Sequence, residues 1–131
     1  MEILNVIVAA AGAFGFGAFW YTTFSKAWMQ AADIPMDANG KPMGNGSAMP
    51  FVIGFIAMIL VAGMMRHVFH ISGIVTLGGG LVAGFGVGAF FVTPWLAMNY
   101  AFAMRKPSLT MIDGVNVIVG CSVMGVILSA F

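Results

Sequence analysis

Few side chains in this chain could do chemistry, and those few are scattered. His67 and His70 stand three apart beside Arg66. On a helix, residues i and i+3 share a face, so the pair could hold a metal or a tetrapyrrole. No Cys lies near them, and the nearest acid on that side is Glu2, so a complete ligand set is missing and no cofactor or metal is expected. Asp113 lies in an apolar stretch, where an acid is a functional candidate by default. The spacing Thr110-x-x-Asp113 also reads as a capping box at a helix start. Arg105, Lys106 and Lys26 are expected on the same side as Asp113 and could pair with it. Asn5, Asn99 and Asn116 are expected to hydrogen-bond between helices or to line a small polar path. Cys121, the single cysteine, can form no intrachain disulfide. Met29, Met36, Met43 and Met49 stand about seven residues apart, too far for a methionine copper(I) motif. No phosphate loop, HExxH or nucleophile elbow occurs, and the chain is not expected to be an enzyme.

The elements that must position these groups are apolar. Of 131 residues, 61% are hydrophobic and only 7% charged, against about 25% charged in an ordinary soluble domain. So few charges cannot keep such a surface wet, and the bilayer is the expected solvent. A net charge of +1 gives no field to attract nucleic acid. Four apolar runs fall at about residues 3–24, 48–65, 73–103 and 108–131. Each is long enough to cross about 30 Å of hydrocarbon as a helix. Barrel strands would alternate apolar and polar residues, and these runs do not. The expected fold is all-α: a single membrane domain over residues 1–131, built as a bundle of four transmembrane helices. The first run continues past Ala9-Ala10-Ala11 to Phe24, too long for a signal core, and is expected to be retained.

A polar loop is expected over residues 25–47, rich in Gly and Pro, with the turn signal Asn39-Gly40. Short links are expected at Arg66 to Ser72 and Met104 to Pro107. Pro94 is expected to kink the third helix. Lys26, Lys41, Arg105 and Lys106 fall on one side of the membrane, with Arg66 alone on the other. The positive-inside rule then places both termini on the non-cytoplasmic side. Trp20, Tyr21, Trp28, Trp95 and Tyr100 would form an aromatic belt near the cytoplasmic ends.

Small residues mark the faces on which the helices can meet. Gly80, Gly84 and Gly88 recur every four residues on helix 3. Ala9, Ala13 and Gly17 do so on helix 1, and Cys121, Gly125 and Ser129 on helix 4. Inside lipid, close backbone approach at such residues supplies the packing. These faces could close the chain's own bundle or dock another helix. Phe14-Gly15-Phe16-Gly17-Ala18-Phe19-Trp20-Tyr21-Thr22 also matches Phe85-Gly86-Val87-Gly88-Ala89-Phe90-Phe91-Val92-Thr93 at six of nine positions. One reading of that match is a duplicated two-helix hairpin.

Two sets of residues carry a family resemblance. Phe19-Trp20-Tyr21-x-x-Phe24-Ser25-Lys26-x-Trp28-Met29 resembles the opening signature of a bacterial multi-pass membrane family, domain-of-unknown-function family seventeen-sixty-one. Asn99-Tyr100-x-Phe102-x-x-Arg105, Ile112-Asp113 and Val123-Met124-Gly125-Val126-Ile127-Leu128 resemble its closing half. Two places depart from the family pattern: Gly114-Val115-Asn116, where the family tends to have Gly-Tyr, and the loop at 33–47. The resemblance implies a four-helix bacterial inner-membrane protein and no activity. The expected role is therefore helix packing, as an accessory subunit of a larger membrane complex or as a homo-oligomer. The alternative is an oligomeric transporter or channel component. The expected partners are the bilayer, other membrane subunits or copies of the chain, and no nucleic acid.

Overall fold

A computed structural model describes residues 2–35, 37–39 and 48–131, and structural statements below refer to those residues. Met36, Gly40, Lys41, Pro42 and Met43, to which the sequence reading assigned loop and charge roles, lie outside them. The described chain is helical throughout, without strands. Four of its helices are long and apolar enough to cross a membrane: α1 (Glu2–Thr23), α3 (Met49–Ser72), a third span over Leu77–Phe102, and α6 (Pro107–Ala130).

Local chemistry sets where these helices begin and end. Pro50 and Pro107 stand in the first turns of α3 and α6, where a missing N–H costs nothing. The third span starts at Thr76, whose hydroxyl accepts from the Gly79 N–H at 3.0 Å. Three helices end on the same device, a left-handed residue followed by an N–H that reaches back five residues. Gly73 (φ 69°) closes α3 with Ile74 N–H donating to Phe69 O at 3.0 Å. Asp33 (φ 56°) is followed by Ile34 N–H to Met29 O at 2.9 Å, and Met104 (φ 57°) by Arg105 N–H to Tyr100 O at 2.9 Å.

Three expectations are corrected. The stretch after helix 1 is not all loop: α2 (Ser25–Ala31) follows a break at Phe24 and buries Met29 and Ala31. Arg66 to Ser72 is not a link. Val68, Phe69 and Ile71 continue the apolar helix, and α3 runs on until the left-handed Gly73 stops it. The third span is not one kinked α-helix. It is α4 (Leu77–Gly86), a π-helical segment at Val87–Val92, and α5 (Thr93–Phe102). Pro94 has no N–H to donate, and its ring would crowd the carbonyl four residues back. The wider π turn before it takes up the mismatch. Phe14–Thr22 is regular α-helix where its look-alike Phe85–Thr93 is mostly π, so the two stretches do not share a conformation.

The four spans form a row rather than a closed square. α1 packs between α3 and α6, and α6 packs between α1 and the third span. Ala9, Ala10 and Ala13 of α1 meet Ala62, Met65 and Phe69 of α3 and Met124 and Leu128 of α6 in the core. Phe14 and Phe55 cross edge to face, 5.6 Å apart, along the α1–α3 seam.

The glycine faces account for the α4–α6 seam. A methyl on Gly84 would strike the Cys121 carbonyl, and one on Gly80 the Gly125 carbonyl. A methyl on Gly88 would lie 2.7 Å from the Ile118 Cα. The backbones of α4 and α6 therefore touch directly at Gly80, Gly84, Gly88 and Gly125. That face is covered inside the chain, so the reading in which it docks another protein's helix is corrected. Ala13 plays the milder part on α1, facing Gly120 of α6 at ordinary contact distance.

Candidate functional site

The polar groups gather at the two ends of the helices. At the end carrying α2, Asp113 lies in the second turn of α6, facing α1 and α5. The chain's only two tyrosines both donate to it. Tyr21 Oη donates to Asp113 Oδ1, and Tyr100 Oη donates to Oδ2 at 2.5 Å. Trp20 Nε1 donates to the Ile112 carbonyl at 3.0 Å. Asn116, one turn further along α6, sits beside Tyr21 and places its Oδ1 against Gly17. Three of the four spans are thus tied at one carboxylate, with both of its oxygens accepting.

This arrangement corrects two expectations for Asp113. It is no capping residue, because α6 begins at Pro107, three residues ahead of Thr110. Nor does it pair with the cations. Lys106 Nζ reaches Asp33 at 3.0 Å and the Gln30 carbonyl at 2.9 Å, and Arg105 donates to the Ala32 carbonyl at 3.3 Å. Both pull the end of α2 onto the start of α6. Trp28 of α2 meets Tyr21 edge to face at 5.8 Å, so α2 lies over the tyrosine–carboxylate cluster. Lys26 is exposed on α2.

Beside the cluster, the Thr93 hydroxyl is buried without a hydrogen-bond partner, just past the π segment and against Gly114. Asn99 does not bond across the bundle as expected. It is exposed on the outer side of α5, in a shallow recess with Phe91 and Trp95.

At the opposite end, Leu128 O accepts from Asn5 Nδ2 at 3.2 Å and from an Arg66 terminal nitrogen at 3.0 Å. Asn5 thus bonds to a neighbouring helix, as its position suggested. The other Arg66 nitrogen lies 3.9 Å from Glu2. His67 and His70 are exposed on α3 beside it. Among the described residues, no three His, Cys, Asp or Glu come together in a set able to hold a metal.

Between the two ends the core is alanine, methionine, leucine and phenylalanine. Asn5 and Asn99 lie at opposite ends of the spans, and Asn99 is exposed, so the three asparagines do not line one path. Both oxygens of Asp113 accept from tyrosines on other spans, so the cluster holds three helices at one point.

Sequence reasoning placed Tyr21 and Tyr100 only in an aromatic belt. The available signal was their number: two phenols, one per odd-numbered span, and one acid inside an apolar run near the same side. The segments that carry the family resemblance also converge here, since Trp20, Tyr21, Tyr100, Ile112 and Asp113 all belong to them.

Comparison with known families gives one match. The family model described as "Protein of unknown function (DUF1761)" matches residues 4–129. No curated protein and no solved structure matches the chain.

Proposed function

We propose, from the premise that this chain belongs to the DUF1761 family, that it is a non-catalytic integral membrane protein acting through helix packing on the outer face of its third span. One observation carries this reading. Phe91, Trp95 and Asn99 recur every four residues on that outer face, and all three are exposed. An exposed carboxamide on a membrane helix gains by finding a partner across an interface. Here it lies in a stripe of aromatic side chains, with Trp95 at 68% exposure. The third span packs against α6 along one side, which leaves this stripe uncovered by the described residues.

A carboxamide is both donor and acceptor, so two copies of Asn99 can satisfy each other across a two-fold axis. A second copy of the chain is therefore the occupant we favour. An unlike subunit of a larger membrane complex is the other outcome the test can return. The groups with chemistry support the non-catalytic reading, because Asp113 and Arg66 spend their bonds on other helices of the same chain. The proposed setting is a bacterial inner membrane with both termini on the non-cytoplasmic side. Lys26, Arg105 and Lys106 meet at the α2 end, away from Arg66.

The test is the mass of the protein extracted in mild detergent, for wild type and Asn99→Leu. A dimer that becomes a monomer in the variant supports the reading. A wild-type monomer with no co-extracted subunit sinks it.

A transporter or channel role is the second reading. Its supporting observation is the buried, unpartnered Thr93 hydroxyl beside the π segment and Asp113. π turns frequently mark functional sites. Solute flux into liposomes that falls to background in Asp113→Asn would favour it. Absence of any wild-type flux, across ions and small solutes, would count against it.

A further inference from the structure

A groove of about 760 Å³ runs between α1 and α3, at the end opposite the tyrosine–carboxylate cluster. Its walls are apolar: Ile3 and Ile7 on α1, Ile59, Leu60 and Met64 on α3. Gly63 keeps it open, since a side chain begun there would meet nothing closer than Val6 at 4.0 Å. From Ile59 to Arg66 the groove follows α3 for about 10 Å at 1.5 Å per residue. At its mouth the lining changes to Arg66, His67, His70 and Glu2.

At the mouth, hydrogen-bond donors outnumber the acceptors that meet them. Arg66 is anchored, because one terminal nitrogen donates to Leu128 O at 3.0 Å. Its only acidic neighbour is Glu2, 3.9 Å away and largely exposed. Its Nε is buried and has no partner. His67 and His70 add further donors within one turn of the same helix. A fixed guanidinium flanked by imidazoles, above an apolar furrow near a helix end, is complementary to a phosphate carrying an acyl chain. Arginine binds phosphate through charge-assisted, often paired hydrogen bonds. Basic pockets beside membrane helices are a known way to hold anionic headgroups.

We propose that this groove holds one anionic phospholipid of the surrounding leaflet, with its phosphate on Arg66 and His70 and an acyl chain between α1 and α3. The phosphate displaces the exposed Glu2 from Arg66 and accepts from the donors gathered there. This site lies on α1 and α3 and is independent of the third-span contact.

The test is native mass spectrometry of the purified protein in an uncharged detergent. The probe is an equal mixture of phosphatidylglycerol and phosphatidylcholine with identical chains. One phosphatidylglycerol should be retained about tenfold or more over phosphatidylcholine, whose phosphate is the same but whose choline cation would lie beside the Arg66 guanidinium. Arg66→Gln should abolish the preference. Because Arg66 also ties α3 to α6, that variant could fail to fold. The His67→Gln/His70→Gln double variant changes only exposed side chains and should cut the preference several-fold. Gly63→Leu fills the furrow without touching a charge and should lower retention of both lipids. Equal retention of the two lipids by wild type overturns the proposal. So does a preference that survives the histidine and glycine variants undiminished, which would assign it to general surface charge.

Discussion

At the scale of single residues, Asp113 is the key to the α2 end. A carboxylate in a membrane segment is costly unless both oxygens are occupied. Tyr21 and Tyr100 occupy them from two other spans. Tyr100→Phe leaves one oxygen without its donor and should destabilise the fold by about 1–3 kcal/mol. Unfolding in mixed detergent should show that loss. A double-mutant cycle of Tyr21→Phe with Asp113→Asn should be non-additive, because both changes act on one bond. Additive losses would mean that the tyrosine and the acid contribute separately. Asp113 could be picked out of the sequence as a group needing a partner. Its partners could not, because a cation three residues outside the membrane looks a better match on paper than a phenol on another helix. The cations instead serve α2, an element the Gly- and Pro-rich composition of residues 25–47 concealed.

At the scale of elements, the small residues of α4 and α6 decide how closely two backbones approach. Gly84→Ala must push a methyl into the Cys121 carbonyl, which cannot rotate away. It should cost about 1–3 kcal/mol. Gly12→Ala meets the Ile127 Cδ1 at 2.6 Å, the mobile end of a long side chain. It should be nearly neutral, since the alanine also favours the helix by up to about 1 kcal/mol. Thermal melts of the two variants side by side in one detergent check the contrast. If both melt together with wild type, the α4–α6 contact is looser than described. Met104 is held at φ 57° to end α5, a conformation that costs a side-chain-bearing residue about 1–2 kcal/mol. Met104→Gly should therefore raise the melting temperature, and a lower one would show that the side chain contributes more than its backbone strain costs. The four-residue glycine repeat was legible in the sequence, but the helix it closes on was not, because helices 1 and 4 offer the same small-residue spacing. The π segment was not. Pro94 announces a distortion, but α-helical kink and π turn are different answers to the same missing N–H. The choice depends on how Gly88 and its neighbours seat against α6.

At the scale of the molecule, the row of spans matters more than the number of spans. Four apolar runs could be counted from composition and length, and four membrane-length helices are found over them, although α3 continues to Ser72, through the expected link. Their lateral order is not encoded in hydropathy, since every face of such a helix is apolar. That order leaves the third span attached along one side and gives its other side the Phe91, Trp95 and Asn99 stripe. It also leaves the α1–α3 groove open toward the bilayer. The two predicted contacts, a second copy on the third span and a lipid on the α1–α3 seam, lie on different helices and can fail separately.

The claim that the outer face of the third span is a contact surface is tested most directly by disulfide trapping in native membranes. Cys121 is the chain's only cysteine and is buried, so a Cys121→Ser background removes it. Into that background, Phe91→Cys and Trp95→Cys are introduced singly, with Leu60→Cys on the lipid-facing side of α3 as the control. Mild oxidation should convert Phe91→Cys and Trp95→Cys into a species of twice the chain's mass and leave Leu60→Cys monomeric. Both third-span variants staying monomeric, or all three cross-linking alike, would contradict the account.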